Sequence, residues 1–187
     1  MNDMHLQFLA SPDWAKMLET DLLPWILQAA DLGDDVLEIG PRPGLTTDIL
    51  RERVAHVTAV ELDDDLAGKL ADRLKGTNVD VVHADATESG LPSNRFTTAA
   101  SFSMLHHMPE RQLHDQLFAE VFRMLRPGGR FFVADAVDHE MLREFHVDDT
   151  FVPVDTDTLD ARLQEAGFAK PEIALTEYEV RFSATKK

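Results

Sequence analysis

The feature that most constrains this chain is a repeated alternation of short β-rich runs with helical runs. "DDVLEIG" reads as a strand ending at Gly40, and "GLTTDILRERV" as the helix after it. "HVTAVEL" (His56–Leu62) is a second strand, followed by the helix "DDDLAGKLADRLKG", which has acids in its first turn and Gly76 as its stop. "NVDVVHAD" is a third strand, and "RFTTAASFSML" a fourth, small and apolar enough to be buried. "ERQLHDQLFAEVFRMLRPGG" reads as a long amphipathic helix ended by Pro127, Gly128 and Gly129, and "RFFVADAV" as a fifth strand. Strands alternating with helices predict a mainly parallel sheet covered by helices on both faces.

The flanks are read more coarsely. "SPDWAKMLETDLLPWILQAADLG" predicts a helix with Ser11 as N-cap, Pro12 at its first position, and Trp14, Leu18, Leu22, Ile26 and Ala30 on one face. Pro24 should kink or divide it. After Val137 the rhythm breaks into an irregular stretch, with a short helix around Leu142–Phe145. "DTDTLDARLQEAGF" predicts a capped helix stopping at Gly167, and the tail two short strands on the sheet's antiparallel edge. With 187 residues the chain suits one domain. Its expected parts are an N-terminal helical segment (1–31), a cofactor-binding core (32–137) and a substrate-side segment with edge strands (138–187).

Composition narrows the partners. A formal net charge of −16 repels phosphate backbones, so nucleic acid and anionic membranes are not expected partners, although acidic surfaces also simply aid solubility. No apolar run approaches the roughly 18 residues of a membrane span, and the first residues do not read as a secretory signal. The absence of cysteine excludes disulfides, thiolate metal sites and cysteine nucleophiles, and fits a cytoplasmic protein.

In an open parallel sheet, ligands sit at the carboxyl ends of the strands. The first strand ends in Glu38 and the loop Gly40-Pro41-Arg42-Pro43-Gly44, the second in Glu61, the third in Asp85, and the fourth in Ser101, Phe102 and Ser103. A glycine turn lets backbone approach a ligand. An acid after the second strand suits ribose hydroxyls, and one after the third suits an amine such as that of adenine. Each acid alone is more simply a turn residue or a helix cap. In that order they describe a nucleoside held without a phosphate clamp, since no lysine or arginine follows the loop as in a P-loop.

Together, "VLEIGPRPG", "AVELD", "VVHADATESGLP", "SFSMLHHMP" and "LRPGGRFFVAD" resemble the successive motifs of class I S-adenosylmethionine-dependent methyltransferases, most of all the small single-domain bacterial kind. The resemblance covers roughly Leu32–Val137. It implies a Rossmann-like three-layer α/β sandwich whose seven-stranded, mostly parallel sheet has an antiparallel last strand. It implies S-adenosylmethionine as cofactor and a small-molecule methyl acceptor. Glu38, Gly40, Pro41, Arg42 and Gly44 would hold its methionine end, and Glu61 the ribose. Leu62 would lie against adenine, Asp85 and Ala86 would meet its edge, and Ser101 and Phe102 would line the methyl-transfer side.

Two departures stand out: Arg42 occupies a position where the family usually keeps glycine, and "FTTAA" lacks an acid that often follows the strand's Phe. Because residues before proline avoid the α region, Pro43 predicts an extended Arg42 with negative φ. Its side chain would run along the cleft toward the cofactor's carboxylate, fold back on Glu38, or point to solvent. His106 and His107 follow the fourth strand. His107 is the candidate base on the substrate side, against a plain turn with one packed and one exposed imidazole. His146 with Asp148 and Asp149 is a weak cluster over the cleft. His5, His56, His83, His114 and His139 have no metal-ligand spacing, so no metal is expected. Two rivals remain: a nicotinamide-dependent oxidoreductase, which would need a G-x-G-x-x-G loop that is missing, and a methyltransferase-like domain that binds without turnover.

Overall fold

A computed structural model describes residues 2–187, the side chain of Asp3 excepted. Met1, the first residue of the expected N-terminal segment, lies outside the described residues. The chain begins with α1 (Asp3–Leu9) and α2 (Pro12–Met17), and Ser11 caps α2 by accepting from the Trp14 N–H at 3.2 Å. A π-helical turn (Leu18–Leu22) then leads into α3 (Leu23–Ala29). Pro24 lies in the first turn of α3, where its missing N–H costs little, and the wider turn sits just before it. The helical backbone continues through these junctions, so the expected helix is widened just before its proline rather than broken at it.

Next come β1 (Asp35–Ile39), α4 (Leu45–Arg51), β2 (His56–Glu61), α5 (Asp64–Leu74) and β3 (Val79–His83). They are followed by β4 (Phe96–Phe102), α6 (Arg111–Met124) and β5 (Leu125–Ala136). The chain closes with α7 (Glu140–Phe145), α8 (Leu159–Glu165), β6 (Ala169–Leu175) and β7 (Glu179–Thr185). The sheet order is β3-β2-β1-β4-β5-β7-β6, with β7 antiparallel to both neighbours and the other pairs parallel. The Rossmann-like, mostly parallel seven-stranded sheet is therefore present. α8 departs from the expectation in one detail: Thr158, at its N-cap, makes no side-chain capping bond.

Alternation along the strands builds the two cores. Phe131 packs with Leu117, Phe118 and Val121 of α6, while its neighbour Phe132 packs on the other face with Trp14, Leu18, Leu22 and Ile26. β4 is buried throughout, as its small apolar residues require. Strand order reverses between β1, which continues to β2, and β4 on its other side. The loop after β1 therefore opens at the topological switch point. Among the described residues no helix is long and apolar enough to cross a membrane.

Candidate functional site

The loop after β1 is fastened to the end of β2. Gly40 N–H donates to the Val60 carbonyl at 2.9 Å, and Arg42 N–H donates to Oε2 of Glu61 at 3.1 Å. The other Glu61 oxygen accepts from Asp63 N–H at 3.0 Å. Glu61 is buried, yet its carboxylate borders a cavity of about 210 Å³. Each of its oxygens has a second lone pair free to accept.

Arg42 corrects the expectation. Its φ is +56°, in the left-handed region, not extended. Gly44 N–H donates to the Pro41 carbonyl at 2.9 Å, closing a turn with Arg42 and Pro43 at its centre. A turn with positive φ at its first central residue favours glycine, which gives a backbone reason for the family's usual residue. The pre-proline restriction excludes the right-handed α region but does not decide between extended and left-handed backbone. The turn bond and the tie to Glu61 settle it. Arg42 and His107 line the same cavity, and the guanidinium charge disfavours protonation of His107 and His5.

Gly40, Arg42, Glu61, Leu62, Asp85 and Ala86 all line this cavity, and Met104 and His107 close it from the β4 side. Leu62 is 65% exposed, an apolar face open at the mouth. Asp85 Oδ1 accepts from the Thr87 N–H at 2.8 Å and its hydroxyl at 2.7 Å, leaving Oδ2 toward solvent. Glu38, Pro41, Gly44, Ser101 and Phe102 are not on the lining. A Cβ on Gly44 would meet Leu70 at 2.4 Å, so this glycine serves the packing of the loop on α5. Ser101 and Phe102 are buried within β4, and from the segment after that strand Met104 reaches the lining.

Glu38 is 3% exposed, and its Oε2 has no hydrogen-bond partner. Burial, and secondarily the nearby acids Glu61 and Asp48, push its pKa up to about 8. A buried carboxyl with one orphaned oxygen beside the loop fits a cationic group such as the ammonium or sulfonium of S-adenosylmethionine.

Sequence reasoning missed Asp135, near the end of β5. Its Oδ2 accepts from the N–H groups of Met104 (2.9 Å) and Leu105 (2.7 Å), and Oδ1 lies 2.6 Å from Nδ1 of His106. Burial opposes ionisation of Asp135. His106 and the amides outweigh burial and hold its pKa below the ordinary value. An acid near a strand end, the signal that singled out Asp85, also marks this residue.

The histidines correct two further expectations. His106 and His107 are both packed, and their side chains are 1% and 6% exposed. His5 and His146 join them, with ring centroids 4.7 to 5.4 Å from His106 or His107. The weak cluster around His146 is thus part of a larger one, with Asp149 Oδ1 3.7 Å from Nδ1 of His107. Burial first, then the neighbouring His106 and the guanidinium of Arg42, lower the pKa of His107 far below the usual imidazole range. His5, His106 and His146 also line a second cavity of about 270 Å³, walled by Phe8, Met141, Leu142 and Phe145.

Residues 37–133 match a family described as a methyltransferase domain. A probable ribosomal RNA small subunit methyltransferase A of Methanothermobacter thermautotrophicus is 34% identical over 146 residues, 68% of this chain and 51% of the relative. This chain therefore spans about half that relative's length. Among solved structures, a Pyrococcus horikoshii protein superposes with a TM-score of 0.77 at 18% identity, over 100% of this chain and 94% of that one. The phosphoethanolamine N-methyltransferase 2 of Haemonchus contortus, in complex with S-adenosyl-L-methionine, superposes with a TM-score of 0.73 at 16% identity, over 89% and 52%. At these identities the superpositions speak for the fold.

Proposed function

This chain belongs to the class I S-adenosylmethionine-dependent methyltransferases, and from that premise we propose that it transfers the cofactor's methyl group to a small organic acceptor. One observation carries the reading: the loop of Gly40 and Arg42, the carboxylates of Glu61 and Asp85, and exposed Leu62 converge on one cavity at the strand ends. Glu61 would accept the ribose hydroxyls on its remaining lone pairs, Leu62 would cover the adenine, and Asp85 with Ala86 would meet its edge. Glu38, Pro41 and Gly44 would shape and charge the methionine end from behind the lining. Ser101 and Phe102 would act only through the strand that carries them.

The sulfonium supplies a methyl group that is already reactive. The chain's task is then alignment for an in-line displacement, which supplies roughly 7–11 kcal/mol when two reactants are held in register. Residues 32–137 would hold the cofactor, and α1 with α7 would wall the acceptor in the second, apolar cavity. His107 lies between the two sides, but its lowered pKa makes it a weak base. The orphaned Oε2 of Glu38 favours a cationic cofactor over nicotinamide dinucleotides, whose pyrophosphate is anionic. The absence of cysteine suits a cytoplasmic setting.

A second reading takes ribosomal RNA as acceptor, since a relative is so named. The net charge of −16 argues against it. Radiolabelled S-adenosylmethionine incubated with ribosomal RNA and, separately, with a fractionated small-molecule extract tests the choice. Label should enter a small-molecule fraction. Label confined to RNA would overturn the preferred acceptor class.

A further inference from the structure

We propose that His5, His106, His107 and His146 form a binding site for a divalent first-row transition ion of the zinc class, set between the cofactor cavity and the apolar cavity. One ring nitrogen from each of the four lies within 4.8 Å of the others. A tetrahedral shell with Zn–N bonds of about 2.0–2.1 Å needs nitrogens roughly 3.4 Å apart. Small side-chain rotations therefore close the cluster around an ion.

The rings are held as metal ligands are held. A ligating histidine characteristically donates its second ring N–H to a carboxylate or a backbone carbonyl. His106 Nδ1 faces Asp135 Oδ1 at 2.6 Å, and His146 Nδ1 faces the Leu142 carbonyl at 2.6 Å. Their Nε2 atoms are buried with no hydrogen-bond partner. Nδ1 of His107 has no hydrogen-bond partner either, and its Nε2 meets Nδ1 of His5 at 3.1 Å. Buried orphaned nitrogens are costly, and an ion would satisfy them together. Asp135 and Asp149 supply negative charge against the ion, and Arg42 opposes it. An all-imidazole donor set suits zinc, copper, iron and nickel rather than magnesium or calcium.

The placement gives the ion a use. His107 borders the cofactor cavity, while His5, His106 and His146 border the apolar one. Four imidazoles close a tetrahedral shell, so the ion would act by tying α1 and α7 to the turn after β4, between the two cavities. Only the use of those cavities rests on the methyl-transfer reading; the site itself does not.

The test is calorimetric titration of chelator-treated protein with Zn²⁺. One ion per chain should bind with micromolar affinity or better, weakened at least about tenfold in His5→Gln and in His146→Gln. His83→Gln, on the far edge strand β3, should bind like the wild type. No wild-type binding, or affinity unchanged in both cluster variants, would overturn the site. Should the variants not fold, the visible spectrum of the Co²⁺-loaded wild type decides. Intense tetrahedral bands support four imidazole ligands, and the weak bands of an aquo ion refute them. Because the readout is ion binding, its failure leaves the methyl-transfer reading standing, and failed methyl transfer leaves the ion site standing.

Discussion

The backbone N–H of Arg42 donates to Oε2 of Glu61 at 3.1 Å, so the loop after β1 and the acid ending β2 form one unit. Arg42 makes the bond at a φ of +56°, and the bond makes Glu61 a structural acceptor as well as a candidate ribose ligand.

Arg42→Gly should therefore stabilise the protein. A left-handed non-glycine residue costs roughly 1–2 kcal/mol, and glycine's extra freedom when unfolded takes back roughly 0.5–1. A net gain of about 0.5–1 kcal/mol in denaturant unfolding is expected. Cofactor affinity should change by less than about threefold, because the N–H bonded to Glu61 is retained. A loss of stability would show that the guanidinium, near His5 and His107, contributes more than the strain costs.

Glu61→Ala removes the partner of two amides, those of Arg42 and Asp63. Both bonds are only part-buried, so the unsatisfied donors should cost toward the low end of about 1–3 kcal/mol each, and this variant should lose stability as well as cofactor affinity. Glu61→Gln keeps one acceptor oxygen and should recover part of the stability but not the affinity. Thermal unfolding beside cofactor titration separates the two effects. Equal stability of the alanine variant and the wild type would contradict the structural role.

Glu38 gives cofactor binding a pH dependence. Its folded pKa of about 8 exceeds its ordinary 4.5, so the folded protein holds a proton that the unfolded chain releases. Stability from this group is full below 4.5 and is lost as pH rises toward about 8. A cationic cofactor favours the ionised form. Affinity for S-adenosylmethionine should tighten as pH rises to about 8 and then level, with proton release on binding below that pH. Calorimetry in buffers of different ionisation enthalpy measures the protons. A flat profile that Glu38→Gln leaves unchanged would remove Glu38 from the cationic end.

The histidine cluster acts in the opposite sense. The folded pKa of His5 is depressed from 6.5 to about 3, chiefly by burial. Its contribution is present above 6.5 and lost as pH falls from there toward about 3, because the unfolded chain takes up protons that the folded one refuses. Unfolding in urea should show stability falling with acid over that window. His5→Asn should flatten the fall, and an identical acid profile would contradict the burial of a neutral ring.

The parallel sheet was legible because strand and helix periods differ and repeat, and the residues of the cavity lining that were named from sequence because they stand at or just after strand ends. Three things were not legible. The φ of Arg42 depends on a bond to Glu61, 19 residues on, against which a local pre-proline rule has no force. The histidine cluster joins positions 102 apart in sequence, His5 and His107, without any ligand spacing. Glu38 was foreseen at the cofactor's methionine end, but its orphaned oxygen depends on what the fold leaves unpaired.

The central claim is that the cavity of Gly40, Arg42, Glu61, Leu62 and Asp85 holds S-adenosylmethionine. Isothermal titration of the wild type with S-adenosylmethionine, S-adenosylhomocysteine and NAD tests it most directly. The account predicts one site per chain for the first two, weakened at least tenfold by Leu62→Asp (about 1.4 kcal/mol), and no heat with NAD. No binding of either adenosyl ligand, or binding of NAD that Leu62→Asp abolishes, would contradict it.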